Sequence, residues 1–166
     1  MSSPMTGRGS VARVAPEPPR IRRATAADAR RLTAMVRRSR AYEGRYASMV
    51  AGVAVGPDYI EAHEVHLAEG ADGVPLGFYA LLVDPPELDL MFVADRAQGL
   101  GVGRLLIDHM RAEAERAGLA RVRVVSHPPA EGFYRAMGAV RTGTALADPP
   151  VVAWDRPELH FDIAMR

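Results

Sequence analysis

Residues 87–106 read Glu87-Leu-Asp-Leu-Met-Phe-Val-Ala-Asp-Arg-Ala-Gln-Gly-Leu-Gly-Val-Gly-Arg-Leu-Leu106, and their local chemistry decides the fold. The opening residues alternate, with Leu88, Leu90 and Phe92 on one face and Glu87, Asp89, Met91 and Val93 on the other, the period of a strand. Asp95 to Val102 forms a glycine-rich loop. From Gly103 onward, Leu106, Ile107, Met110, Ala114 and Ala117 follow the 3.6-residue period of an amphipathic helix. Arg104/Asp108 and Arg111/Glu115 make i,i+4 pairs on its polar side, and Gly118 is the stop signal. Glycines let backbone N–H groups approach a ligand, and the helix behind them presents unpaired N–H groups and a positive dipole end. Together these features make a diphosphate site.

Three phosphate loops compete for this stretch. A P-loop ends in Gly-Lys-Ser/Thr, whereas Gly103 is followed by Arg104-Leu105, so that reading fails. The dinucleotide fingerprint is G-x-G-x-x-G near the start of a βαβ unit, whereas this loop is G-x-G-x-G and follows three earlier strands. The third pattern, Q/R-x-x-G-x-G/A, is met in every fixed position from Gln98 to Gly103.

Outward from this centre, Asp84-Pro85-Pro86 breaks the strand before it. That strand runs from Val74 or Leu76 to Val83, behind the turn Gly70-Ala71-Asp72-Gly73 and a strand at Val65–Ala68. A short helix spans Asp58 to Ala62 after Pro57, and an earlier helix covers about 26 to 39, entered through the capping-box form Thr25-Ala26-Ala27-Asp28. Ile21–Ala24 reads as a first strand. Downstream lie a strand at Arg121–Val125, a short helix opened by Pro128-Pro129 and closed by Gly138, and strands near Val140–Thr142 and Leu159–Ala164. The order β-α-α-β-β-β-α-β-α-β-β predicts an α/β chain with a mixed sheet and helices on both faces.

Composition bounds the function. The 166 residues contain no Cys, which excludes disulfides, thiolate metal sites and a cysteine nucleophile. No apolar run reaches the length of a membrane span, and the first residues lack a signal-peptide core, so a cytoplasmic protein without a membrane partner is expected. Residues 1–19 have no apolar period and read as a disordered tail, leaving 20–166 as one domain. All 21 basic residues are Arg, and residues 1–45 hold 11 of them against Glu17, Asp28 and Glu43, a local charge of +8 in a chain of net +1. Such a section could meet an acidic ligand or nucleic acid, but it lacks interleaved aromatics and any nucleic-acid motif, so a solvated face is the preferred reading.

From Ile21 to the end the chain resembles the GNAT (Gcn5-related N-acetyltransferase) superfamily. The resemblance is carried by residues 87–106 and by a second stretch, Ala130-Glu-Gly-Phe-Tyr-Arg-Ala-Met-Gly-Ala139. It implies the GNAT acyl-CoA N-acyltransferase fold, a mostly antiparallel sheet splayed between strands four and five to admit acetyl-CoA. It further implies that backbone groups of Met91, Phe92 and Val93 hold the pantetheine arm. N–H groups of Gln98, Gly99, Leu100, Gly101, Val102, Gly103 and Arg104 would hold the pyrophosphate. Many relatives place an Asn near the start of the downstream helix, where this chain has Pro129, without a polar side chain or an N–H.

The activity implied is N-acetyl transfer to a primary amine of a small molecule or peptide, without a metal; a CoA-binding regulatory module is the alternative. Relatives are often dimers, so a homodimer is compatible with the resemblance. An amine of pKa about 10 arrives protonated at neutral pH, so a base is useful. Glu87 matches the position where family members often carry an acid, and Asp89 shares its strand face; a solvated strand start is the rival reading. Tyr134 matches the family's general acid toward the CoA sulfur, and Phe133 beside it reads as core. A main-chain N–H at Met91 or Phe92 would polarise the carbonyl. Tyr42 and Tyr46 fall where the family shapes its acceptor pocket, and His127 at the end of the fifth strand is a candidate for substrate contact. Arg156 could meet an acidic acceptor group. His63 and His66 do not make H-E-x-x-H and read as a polar strand edge, His109 as structural and His160 as strand surface.

Overall fold

The computed structural model describes residues 17–39, 50, 53–150 and 152–164. Most of the tail expected at 1–19, together with Tyr42 and Tyr46, lies outside the described residues; Glu17, Pro18 and Pro19 have no regular structure.

The sequence signals translate closely into elements. Strand β1 (Arg20–Arg23) leads through a 3-10 turn (Ala26–Asp28) into helix α1 (Ala29–Arg38), and Pro57 opens α2 (Pro57–Ala62). Strands β2 (Glu64–Glu69), β3 (Pro75–Val83) and β4 (Pro86–Val93) follow, then a 3-10 turn (Asp95–Ala97) and the long helix α3 (Val102–Arg116). The chain continues as β5 (Arg121–Val125), a 3-10 turn (Pro128–Ala130), α4 (Glu131–Ala136), β6 (Val140–Ala145) and β7 (Arg156–Asp162). The anticipated stripe of α3 is buried at Leu106, Ile107, Met110 and Ala114, but Ala117 caps the helix and is exposed.

The seven strands among the described residues join one sheet in the order β1-β2-β3-β4-β5-β7-β6. Every neighbouring pair is antiparallel except β4 and β5, which are parallel because α3 crosses between them. One face packs on α3 and α4 around Tyr79, Leu106, Met110 and Phe161; the other packs on α1 and α2 around Leu32, Val36, Ile60 and Phe78. Each fully buried Leu or Phe contributes about 1.5–3 kcal/mol, so these two layers supply the main driving force for the sheet.

Strand β4 departs from simple alternation. Ala80 pairs with Leu90 but Leu81 pairs with Leu88, so Asp89 is an extra residue on β4, a β-bulge. The bulge switches faces: Leu88 joins the α3 layer, while Leu90 and Phe92 join the α1/α2 layer. The expectation that Leu88, Leu90 and Phe92 share a face is therefore corrected, because one inserted residue inverts the period on either side of it.

His66 also departs from its reading as a polar strand edge. β2 is an inner strand, covered by β1 on one side and by α3 above, and His66 is buried there. Its ring stacks on Tyr79 at 5.4 Å and lies 4.8 Å from the His109 ring. The Tyr79 hydroxyl shares a 2.7 Å hydrogen bond with His109 Nδ1. Burial and the neighbouring His66 push the His109 imidazole below its ordinary pKa.

At the N-terminal end of α1, Asp28 is buried and accepts from Arg22 Nη1 and Nη2 at 2.9 Å, from Arg31 at 2.6 Å and from the Thr25 backbone N–H at 2.9 Å. The Arg22 guanidinium chiefly holds this carboxyl well below the usual carboxylate range. The acid three residues after Thr25 thus pins β1 to the first turn of the helix.

Candidate functional site

β4 and β5 align at one pair, Glu87 with Arg123, and beyond it β4 runs on to Val93 while β5 ends at Val125. Their divergence leaves a slot of about 280 Å³. It is lined by Met91, Phe92 and Val93 from β4, by Gln98, and by His127, Pro129, Ala130, Phe133 and Tyr134 on the opposite wall, with Ser39 at the end of α1. Residues distant in sequence thereby line one slot: the three β4 positions, Gln98, His127 and Tyr134.

At the mouth of the slot, Gly99 and Gly101 adopt φ of +79° and +78°, a left-handed region that side chains disfavour. A Cβ at either position would meet open space, so the loop surface is bare backbone. Leu105 N–H bonds back to the Gly101 carbonyl at 3.1 Å, so the N–H groups of Val102, Gly103 and Arg104 precede the first helical bond. The side chain of Val102 is buried in the α3 layer, while Leu100 is 72% exposed. The loop therefore offers main-chain donors, not side chains, to an anion. These residues fit a diphosphate at a helix N-terminus. The Gln98 side chain plays a different part, since its Nε2 donates to the Val93 carbonyl at 3.1 Å and ties the loop to the end of β4.

The α4 wall is set by packing. Tyr134 is buried, edge-on to Phe133 at 5.3 Å and to Phe161 at 6.4 Å between centroids. Phe133, read from sequence as core, packs against the α3 layer and also lines the slot. A Cβ on Gly103 would lie 3.0 Å from the Phe133 ring, so glycine there permits α4 to close on the start of α3. That dual role has no local signature. Pro129 faces the slot at the place where an Asn was the family expectation, and it brings no polar atom. His127 is buried beside it, next to Ser126, whose hydroxyl donates to the His127 carbonyl at 2.7 Å.

Glu87 and Asp89 sit farther down β4 and are not among the slot-lining residues. Glu87 is 3.7 Å from Arg123, whose Nε donates to Glu158 at 2.7 Å. Asp89, on the bulge, accepts a 2.5 Å hydrogen bond from Tyr59 of α2. Burial, then this carboxylate, raises the Tyr59 phenol far above its ordinary pKa. Sequence reasoning missed Tyr59, which only the docking of α2 over β4 brings to the acidic end of the strand. Arg156 begins β7 with its Nε buried and without a hydrogen-bond partner among the described residues, and it too is outside the slot lining. His160, read as strand surface, is only partly exposed: its Nδ1 is buried and likewise lacks a hydrogen-bond partner among them, while its Nε2 lies 3.4 Å from the exposed Asp162 carboxylate.

Glu64, His66 and Glu113 bring donor atoms within 4.8 Å of one another on the α3 face. Both carboxylates are ion-paired, Glu64 with Arg23 at 2.5 Å and Glu113 with Arg116. Among the described residues no helix is long and apolar enough to cross a membrane.

Comparison with known proteins supplies the family. The sequence pattern of the acetyltransferase (GNAT) domain matches residues 54–148, a stretch that includes β4, the glycine loop, α3 and α4. Among curated proteins there is no significant sequence match. Solved structures share the fold. A GCN5-related N-acetyltransferase from Rhodopseudomonas palustris aligns with a TM-score of 0.74 at 21% identity, over 90% of this chain and 98% of its own. The yncA protein of Salmonella typhimurium, solved with its cofactor acetyl-CoA, gives 0.73 at 19% identity over 90% and 96%. The ribosomal-protein-S18-alanine N-acetyltransferase of Escherichia coli gives 0.67 at 17% identity over 89% and 96%. The splayed strand pair, the glycine loop at the start of α3 and the match over residues 54–148 place this chain in the GNAT family of acetyltransferases.

Proposed function

We propose that the protein transfers an acetyl group from acetyl-CoA to a primary amine of a small molecule or peptide, by direct attack. The observation that carries this reading is the slot itself. It opens where β4 and β5 part, with main-chain donors at its mouth and the Tyr134 ring in its wall. The acetyl-CoA bound to the yncA protein supports the choice of donor.

Acetyl-CoA would supply a thioester acyl group already activated toward an amine. The N–H groups of Gly99, Gly101, Val102, Gly103 and Arg104 would hold its diphosphate, since those of Gln98 and Leu100 donate within the loop to the Asp95 and Ala97 carbonyls, and the backbone of Met91, Phe92 and Val93 would hold its pantetheine arm. A main-chain N–H at Met91 or Phe92 polarises the carbonyl as an oxyanion-type donor. Glu87 takes the amine proton, directly or through water; Asp89 is the second candidate on the same strand. Tyr134 holds the proton that the departing thiolate needs, a role suited to a phenol. No step requires a metal.

The test is an acetyl-CoA turnover screen across antibiotics, polyamines, amino acids and peptides, read as free CoA. Release of CoA that depends on one class of amine is the expected result. Tight acetyl-CoA binding with no amine-dependent release would instead support a CoA-binding regulatory module.

A further inference from the structure

Four arginines surround a second cavity that the transfer reading leaves without a role. It measures about 540 Å³ and lies between α1, the residues leading into β3, and the end of β4. Arg30, Arg31 and Arg38 reach it from α1, and Arg96 from the 3-10 turn after β4. Arg30, Ala34 and Arg38 stand at i, i+4 and i+8, so they share one face of the helix. The small Ala34 leaves a hollow between two guanidinium-bearing side chains, floored by Met35, Pro75 and Ala94.

The charge at this rim is only partly compensated. Arg31 is engaged, donating to Asp28 at 2.6 Å and to the Gly73 carbonyl at 3.2 Å. Arg96 donates to the Pro75 carbonyl at 2.7 Å, a neutral partner that leaves its positive charge in place. Arg30 and Arg38 have no ion pair among the described residues. One acid, Asp95, stands on the same rim. A guanidinium matches a carboxylate or a phosphate through two parallel N–H donors, so paired arginines over an apolar floor suit a small organic anion.

Position links this cavity to the transfer slot. Ser39, the residue that follows α1, lines both. Ala94 of the cavity directly follows Val93 of the slot. We propose that the acceptor is an amine that also carries an anionic group, held by Arg30, Arg38 and Arg96 while the amine enters the slot. This rests on the acetyl-transfer reading above. It gives part of the arginine-rich N-terminal section a ligand: three of its arginines are the α1 residues at this rim.

The experiment compares matched amines with acetyl-CoA: L-lysine against L-lysinamide, and phosphoethanolamine against ethanolamine, read as free CoA. The anionic member of one pair is expected to exceed its neutral partner in kcat/KM by about tenfold or more, as for a charge-assisted hydrogen bond. Which pair shows the preference separates a carboxylate from a phosphate. The double variant Arg30→Gln/Arg38→Gln should lose the preference through KM and keep its rate on the neutral member. Added salt should shrink the preference in the wild type. Equal kcat/KM for both members of both pairs overturns the proposal and leaves acetyl transfer standing, as does a preference that survives in the double variant. If no amine of either pair or of the broader screen releases CoA, the transfer reading itself fails, and the acceptor site with it.

Discussion

The Glu87 carboxylate lies 3.7 Å from Arg123 across the single aligned pair of the parallel strands β4 and β5. The candidate base therefore sits where the two strands still touch, just before they part. Arg123 is shared, since its Nε also donates to Glu158. If Glu87 draws the amine proton, Glu87→Gln should lower turnover mainly at neutral pH. The defect should shrink as pH rises and more amine arrives neutral. A pH–rate profile with a turned-over amine checks this. A neutral-pH defect in Asp89→Asn but not in Glu87→Gln would move the base to the bulge residue that Tyr59 now holds.

Tyr134→Phe removes the phenol and keeps the ring that packs edge-on against Phe133 and Phe161. Turnover should fall by about 10²–10⁴-fold, the usual contribution of a general acid, with CoA affinity and melting temperature nearly unchanged. Near wild-type turnover at every pH would make Tyr134 a packing residue. The losses in Tyr134→Phe and Glu87→Gln need not multiply, because both act in one reaction.

Gly101 has φ of +78° with open space where a Cβ would stand. Gly101→Val adds a branched side chain to the donor surface and strains the backbone by about 1–2 kcal/mol. Acetyl-CoA affinity, measured by calorimetry, should drop by well over tenfold while circular dichroism shows a retained fold. Unchanged affinity in a folded variant would remove the loop from the binding site.

Asp28 ties Arg22, Arg31 and the Thr25 N–H together beneath α1. Its folded pKa lies below its unfolded one, so the stabilisation is complete above the ordinary carboxylate pKa of about 4 and is lost as pH falls below it. Asp28→Asn should cost about 2 kcal/mol at neutral pH, less than a fully buried pair because both arginines are partly solvated. That corresponds to a melting temperature lower by about 4–8 °C. The variant should also show a flatter loss of stability between about pH 5 and 2, the part of the acid transition that Asp28 supplies. An unchanged slope there would show that other carboxylates govern acid unfolding.

What the sequence determined by itself was whatever rests on near neighbours. The alternation into Phe92, the glycines at 99, 101 and 103 and the stripe from Leu106 to Ala114 define a strand, a loop and a helix through local backbone chemistry. Their order defines the β4–loop–α3 unit, whose residues carry the resemblance to the GNAT family. Tertiary structure decided the rest, because it depends on partners far along the chain. The bulge at Asp89 is a property of the β3–β4 pair, where Leu81 aligns with Leu88 and Ala80 with Leu90, and nothing in residues 87–93 announces it. His66 reads from its immediate surroundings as a strand-edge group, and it is enclosed once β2 takes an inner place in the sheet. The arginines of α1 read as a solvated face, yet the cavity beside them exists only because the end of β4 lies against that helix and adds Arg96. Periodicity and glycine content fix which element a segment forms; strand pairing and helix docking fix which side chains meet.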